Sequence, residues 1–198
     1  MKLYDLELSG NCYKVRLFCA LNQIPLEVYA VDYLAGEHKS GAYLALNPLG
    51  EIPLLADGDF LIRDSQAILI YLAQKHQLTE WWPQEAKSQA LVAQWLSFAA
   101  NNIARGPNDA RLHDLFGISL DVASARQNAL SCTNILDNHL ATHRWLVGDT
   151  PTLADIACYP YMALMHQGGV QANSFHHLTR WMNDIKHMEG FITMPGIE

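Results

Sequence analysis

A serine directly ahead of a helix can do two jobs. It can cap the helix, or it can donate a hydrogen bond to an anion held at the helix's positive end. Ser9 in SGNCYKV (9–15) stands in that position, between an apolar run and a stretch with helical spacing. Its local sequence favours the cap. Asn11, two residues on, offers the same pair of roles with equal weight. Asp64-Ser65 opens a second helical stretch and reads as a plain helix cap on local grounds. Thr152 and Asp155 form a Thr-x-x-Asp variant of the capping box, whose task is folding.

The cysteines and histidines give weaker signals. Cys12, Cys19, Cys132 and Cys158 contain no CxxC pair and no metal-ligand spacing. Cys12 and Cys19 are seven residues apart on one predicted helix, a separation of roughly 10 Å at about 1.5 Å per residue. That is too far for a disulfide. Reduced, mostly buried cysteines are expected. His139 and His143 are spaced i, i+4, and His176 and His177 are adjacent. No third ligand in a recognisable pattern accompanies either pair, so surface or interface histidines are expected and no metal.

The elements that must position these residues read as two blocks. KLYDL (2–6) is a strand, 11–22 a helix with Cys12, Val15, Phe18 and Cys19 near one face, and LEVYAV (26–31) a second strand. That order implies a parallel pair with a helix across it. Residues 32–50 look irregular, with Gly36, Gly41, Pro48 and Gly50. IPLLADGDFLIRDS then reads as a hairpin turning at Asp57-Gly58, and 64–76 as a helix. After a linker at 79–86 no convincing strand follows. The segments 89–104, 121–143, 152–165 and 175–188 all show apolar recurrence every three to four residues. Gly106-Pro107 predicts a break or kink after the first long helix, near Arg105, Arg111 and His113. The expected architecture is an α/β domain over 1–78 and an all-helical domain over 87–198.

Composition sets outer bounds. Half of the 198 residues are hydrophobic, so a packed core is expected. The net charge is -7, with six Lys/Arg against nine Asp/Glu through residue 78 and seven against eleven beyond it. Neither half has the cationic surface that sequence-independent nucleic-acid binding requires. The N-terminus has no apolar signal region, and no run approaches the roughly 18 apolar residues of a membrane span. A cytoplasmic protein with no membrane partner is expected.

Taken in order, SGNCYKV (9–15), GEHKS (36–40), NPLGEIPLL (47–55), DGDFLIRDSQAI (57–68) and WLVGDTPTLADI (145–156) resemble the cytosolic glutathione transferase superfamily. The N-terminal part looks most like its phi and theta classes, in a bacterial, serine-type form. The resemblance covers the first domain nearly throughout and is specific in the second mainly at GDTPTLADI. It implies a thioredoxin-like first domain and a homodimer with glutathione as co-substrate.

The resemblance also implies roles. It places Ser9 at the catalytic position, where a hydroxyl donating to sulfur favours the thiolate of a group that otherwise titrates near about 8.5. Asn11 assists or caps. Some members use a cysteine nucleophile, which makes Cys12 a rival that could carry redox chemistry at the cleft, although packing suits its place one turn into the helix. Ile52-Pro53 looks like the family's cis-proline dipeptide, presenting the Ile52 backbone to an extended tripeptide. Asp64 and Ser65 hold the γ-glutamyl end. His38 and Lys39 resemble the phi-class pair at the glycyl carboxylate. Glu51 replaces a glutamine and would repel that carboxylate unless it turns outward or pairs with Lys39. Arg105 and Arg111 fall where the superfamily lines its electrophile pocket and dimer cleft. The implied activity is conjugation of glutathione to small electrophiles. The rivals are a glutathione-dependent disulfide reductase or peroxidase, and a non-catalytic binding module.

Overall fold

A computed structural model describes all 198 residues. A four-stranded sheet has the order β2-β1-β3-β4, from β1 (Lys2–Asp5), β2 (Glu27–Ala30), β3 (Leu54–Asp57) and β4 (Phe60–Arg63). β2 runs parallel to β1, while β3 is antiparallel to both β1 and β4. The central strands carry the buried side chains Leu3, Leu54 and Leu55, and the edge strands are largely exposed. The hairpin closes with Asp57 opposite Phe60, and Gly58 at φ 60° supplies the left-handed turn residue.

Helix α1 (Gly10–Leu21) buries residues all round because it lies between the sheet and a second layer of helices. The segment 32–50 departs from expectation. It holds a single 3₁₀ turn at Glu37–Lys39 and helix α2 (Gly41–Leu46), capped by Ser40 accepting from the Tyr43 N–H at 3.2 Å. Six residues are too few to show a period. Helix α3 (Ser65–Lys75) completes the α/β layer.

Beyond it come α4 (Ala86–Phe98), α5 (Asp109–Phe116), α6 (Val122–Leu140), α7 (Leu153–Ala163) and α8 (His176–Lys186). At Gly106-Pro107, where a break or kink is expected, the helix is not broken but is locally rewound. The chain stays helical through Ala99–Asn108 in wide π-type turns, which absorb the missing proline N–H. Gly106 is required there, because a Cβ would lie 2.9 Å from the Ala129 nitrogen of α6. The only extended pairing after β4 is an isolated bridge, Met194 with Ile197.

The capping box at α7 is present, and Asp155 does more than cap. Its fully buried carboxylate also accepts from the Leu146 N–H (3.0 Å) and the Trp181 indole N–H (2.8 Å), binding α7 to α8. The two layers share one core. α1 packs on α7, Phe18 meets Trp81 edge-on, and the Tyr13 hydroxyl donates to the Ile192 carbonyl at 2.5 Å. The Leu153 N–H donates to the Trp81 carbonyl at 3.0 Å.

Candidate functional site

The N-terminus of α1, the turn before β3 and the N-terminus of α3 converge on one cleft. Asn11, Leu49, Glu51, Ile52, Pro53, Arg63, Asp64 and Ser65 are among its walls. Each wall is held by identifiable bonds.

The turn before β3 is organised by Asn47, which is fully buried. Its Nδ2 donates to the Glu51 carbonyl at 2.7 Å, and the Tyr43 hydroxyl donates to the same carbonyl at 2.9 Å. The Ile52–Pro53 bond is cis, and the Ile52 N–H and C=O take no partner within the chain. They form a free stretch of strand edge facing the cleft, suited to pairing with an extended peptide.

At the second wall Asp64 adopts φ 72°, a conformation costly for any residue with a side chain. Its Oδ1 accepts from both the Gln66 and Ala67 N–H groups, at 3.0 and 2.9 Å. The cap thus occupies one oxygen and leaves Oδ2 for a cation. Ser65 is buried, with its Oγ 2.6 Å from Gln66 Oε1 and 3.3 Å from Asn11 Oδ1.

At the third wall, the N-terminus of α1, Ser9 is the cap, accepting from the Cys12 N–H at 3.3 Å, and it is not itself among the residues that line the cleft. The cap uses an oxygen lone pair and does not itself consume the hydroxyl proton. Asn11 reaches the cleft. Its Oδ1 accepts from Lys14 Nζ at 2.9 Å.

Several expected residues lie elsewhere. Cys12 is fully buried, and its sulfur accepts from the Leu6 N–H at 3.4 Å, so it does not reach the cleft. Burial pushes its thiol up to about 12. His38 and Lys39 do not line the cleft but brace the turn that does. Lys39 Nζ donates to the Leu49 and Gly50 carbonyls at 3.0 and 2.8 Å, and His38 stacks on Tyr33. Gly50 is obligatory beside them, since a Cβ would lie 2.6 Å from the His38 carbonyl oxygen. Glu51 is exposed on the cleft and makes no ion pair, so it does not pair with Lys39. Arg105 lines a separate polar groove with Asn101, Asn102 and Asn128. Arg111 is buried, donating to Gln167 Oε1 at 2.6 Å.

The structure adds residues that the sequence reading passed over. Tyr161 of α7 lays its ring against the first turn of α1, where a Cβ on Gly10 would come within 2.8 Å of it. Ser9 and the Asn11 backbone N–H face its phenol oxygen, and burial, the largest influence, raises the phenol to about 12. Lys14 is 1 % exposed, and Arg63 stands unpaired on the rim. Lysine three residues after Asn11 was a readable signal for the first. Nothing local marks Tyr161, which lies 152 positions beyond Ser9.

A four-stranded mixed sheet with a cis-proline turn beside its cleft, backed by helices, defines a thioredoxin-like protein with a second, helical layer. The comparisons name the family. The model for the glutathione S-transferase N-terminal domain matches residues 3–80, and that for the C-terminal domain matches 121–189. Human glutathione S-transferase theta-1 is 30% identical over 96% of this chain and 84% of its own length. Mouse glutathione S-transferase theta-2 is 31% identical over 96% and 82%. The crystal structure of a glutathione S-transferase from Pseudomonas fluorescens superposes with a TM-score of 0.91 at 30% identity, covering 98% of both chains. The chain belongs to the cytosolic glutathione S-transferase superfamily, and its relatives make it a transferase.

Proposed function

We propose that the protein ionises the thiol of glutathione at Ser9 and passes the thiolate to an electrophilic carbon of a small apolar substrate, acting as a cytoplasmic homodimer. Residues 1–78 bind glutathione, 79–86 link, and 87–198 shape the electrophile pocket. The observation that supports this reading is the cleft where the unpaired Ile52 backbone and Asp64-Ser65 meet Asn11 at the N-terminus of α1, the helix that Ser9 caps. The cysteinyl backbone pairs with Ile52. The γ-glutamyl ammonium meets Asp64 Oδ2, its carboxylate meets the Ser65 hydroxyl and backbone N–H, and the sulfur falls before α1. No bond to the protein forms. Glutathione's S–H proton leaves to water, the S–C bond forms and the electrophile's leaving group departs, so positioning and pKa lowering supply the catalysis.

The form of the disulfide-reductase alternative that uses a cysteine nucleophile needs a reactive protein thiol, and burial of all four cysteines weighs against one. Retention on immobilised glutathione, followed by conjugation to a chloroarene, tests the proposal. Failure to bind glutathione refutes it, and binding without conjugation across an electrophile panel favours a non-catalytic module.

A further inference from the structure

Lys14 has no ion-pair partner within 4 Å, although it is 1 % exposed on a helix packed between sheet and helices. Burying an ammonium without a carboxylate is expensive and is not explained by packing, since an apolar side chain of the same length would be cheaper. The charged and titratable groups that face it are Asp64 at the α3 cap, and Cys158 and Tyr161 on α7. Its one hydrogen bond goes to Asn11 Oδ1, at 2.9 Å.

An ammonium can only donate, so Asn11 must turn its amide oxygen toward Lys14. Ser65 Oγ lies 3.3 Å from the same oxygen. With the oxygen so engaged, the two N–H bonds of Asn11 Nδ2 face the other way, and no group of the chain accepts from them. Were the amide free, it could flip and present its oxygen to the cleft, which would repel an anion there.

We infer that Lys14 is a positioning residue that locks the Asn11 amide with its N–H donors toward the cleft, making Asn11 a second donor to the glutathione thiolate beside Ser9. The inference rests on the proposed thiolate chemistry. Burial lowers the Lys14 ammonium to about 8, so it remains largely charged at neutral pH. A thiolate nearby would hold its proton more firmly.

The test is ultraviolet titration of the thiol of bound glutathione in the wild type, Lys14→Met, Asn11→Ala and the double variant, with glutathione affinity and melting temperature measured on each. The expected result is a bound thiol well below the ordinary value in the wild type. It rises by about one unit in Lys14→Met, roughly a tenfold loss of thiolate at neutral pH. Asn11→Ala gives the same rise, and adding Lys14→Met to it gives no further rise. Lys14→Met should melt no lower than the wild type, because an apolar side chain of similar length replaces a buried charge. A purely structural lysine would show the opposite pattern, a lower melting temperature with an unchanged thiol.

A wild type that does not depress the thiol overturns the proposed function and this inference with it. A normal wild type with an unshifted Lys14→Met overturns the inference alone. So does a shift that survives in full in the Asn11→Ala background, since the charge would then act without the amide. If Lys14→Met does not fold, Asn11→Ala at its half-buried position decides, and an unshifted thiol there overturns the inference.

Discussion

Replacing Ser9 by alanine removes one oxygen with two separable jobs. The first is the cap on α1, where Oγ accepts from the Cys12 N–H at 3.3 Å. Losing an N-terminal serine cap costs about 1 kcal/mol. In a chain of 198 residues that lowers the melting temperature by roughly 2–4 °C. The second is the hydroxyl proton, which the cap leaves free. A hydrogen bond to a charged acceptor contributes about 1.5–3 kcal/mol, and about 1.4 kcal/mol corresponds to one pKa unit. The Asn11 amide remains as a neighbouring donor, which argues for the lower end.

The sign follows from which form is stabilised. Ser9 donates to the ionised thiol, so its removal raises the thiol pKa by about one unit. Conjugation of a chloroarene falls about tenfold at neutral pH, and the two rates converge at a pH above both thiol values. Glutathione affinity changes little, because most of its contacts lie at its two ends. The assay is the pH-rate profile of both enzymes beside their melting curves. A Ser9→Ala enzyme that loses 2–4 °C but keeps its profile would refute the serine mechanism and leave Ser9 as a cap alone. Asn11, Cys12 or the helix N-terminus would then have to supply the activation.

Three further outcomes are expected. Asp64→Asn keeps an oxygen for the Gln66 and Ala67 N–H groups and tolerates the positive φ, so it should melt near the wild type yet bind glutathione about tenfold more weakly; unchanged calorimetric affinity would restrict Asp64 to capping. Native protein should be inert to an aromatic disulfide reagent at neutral pH and release four thiols on denaturation, since burial pushes Cys12 and Cys19 up to about 12 and Cys132 to about 11, and raises Cys158 as well; rapid native labelling would revive a redox role. Glu51→Gln should tighten glutathione binding by a few-fold at low ionic strength and progressively less with added salt, because the carboxylate is exposed; a salt-independent result would place the glycyl carboxylate elsewhere.

The parts of the fold that were readable from sequence are those whose cause is local. Gly58 between two apolar runs marks the hairpin, and the seven-residue spacing of Cys12 and Cys19 marks α1. Thr152 and Asp155 mark the start of α7. The misreadings arose where the cause is tertiary. GAYLAL folds as α2 because Tyr43 must reach the Glu51 carbonyl, a contact that no period announces. Gly106-Pro107 looks like a break until α6 supplies a reason for the wide turn, namely a backbone approach only glycine allows.

The site divides along the same line. Ser9, Ile52-Pro53 and Asp64-Ser65 sit at element termini, where residue type and position together state a role. Lys14 and Tyr161 sit inside helices, where a lysine reads as surface and a tyrosine as core, and only the packing of α1 on α7 shows that both adjoin the first turn of α1. Gly10 links the two kinds of information. In SGN it looks like a flexible residue beside a serine, yet its φ is ordinary and its role is to leave room for the Tyr161 ring. A Gly10→Ala change would therefore act on the second layer, pushing the Tyr161 ring away from the first turn of α1. The helical layer thus reaches the first turn of α1 through one aromatic ring. The serine proposed for the chemistry sits in a setting built partly by α7, a helix that starts 144 positions beyond it.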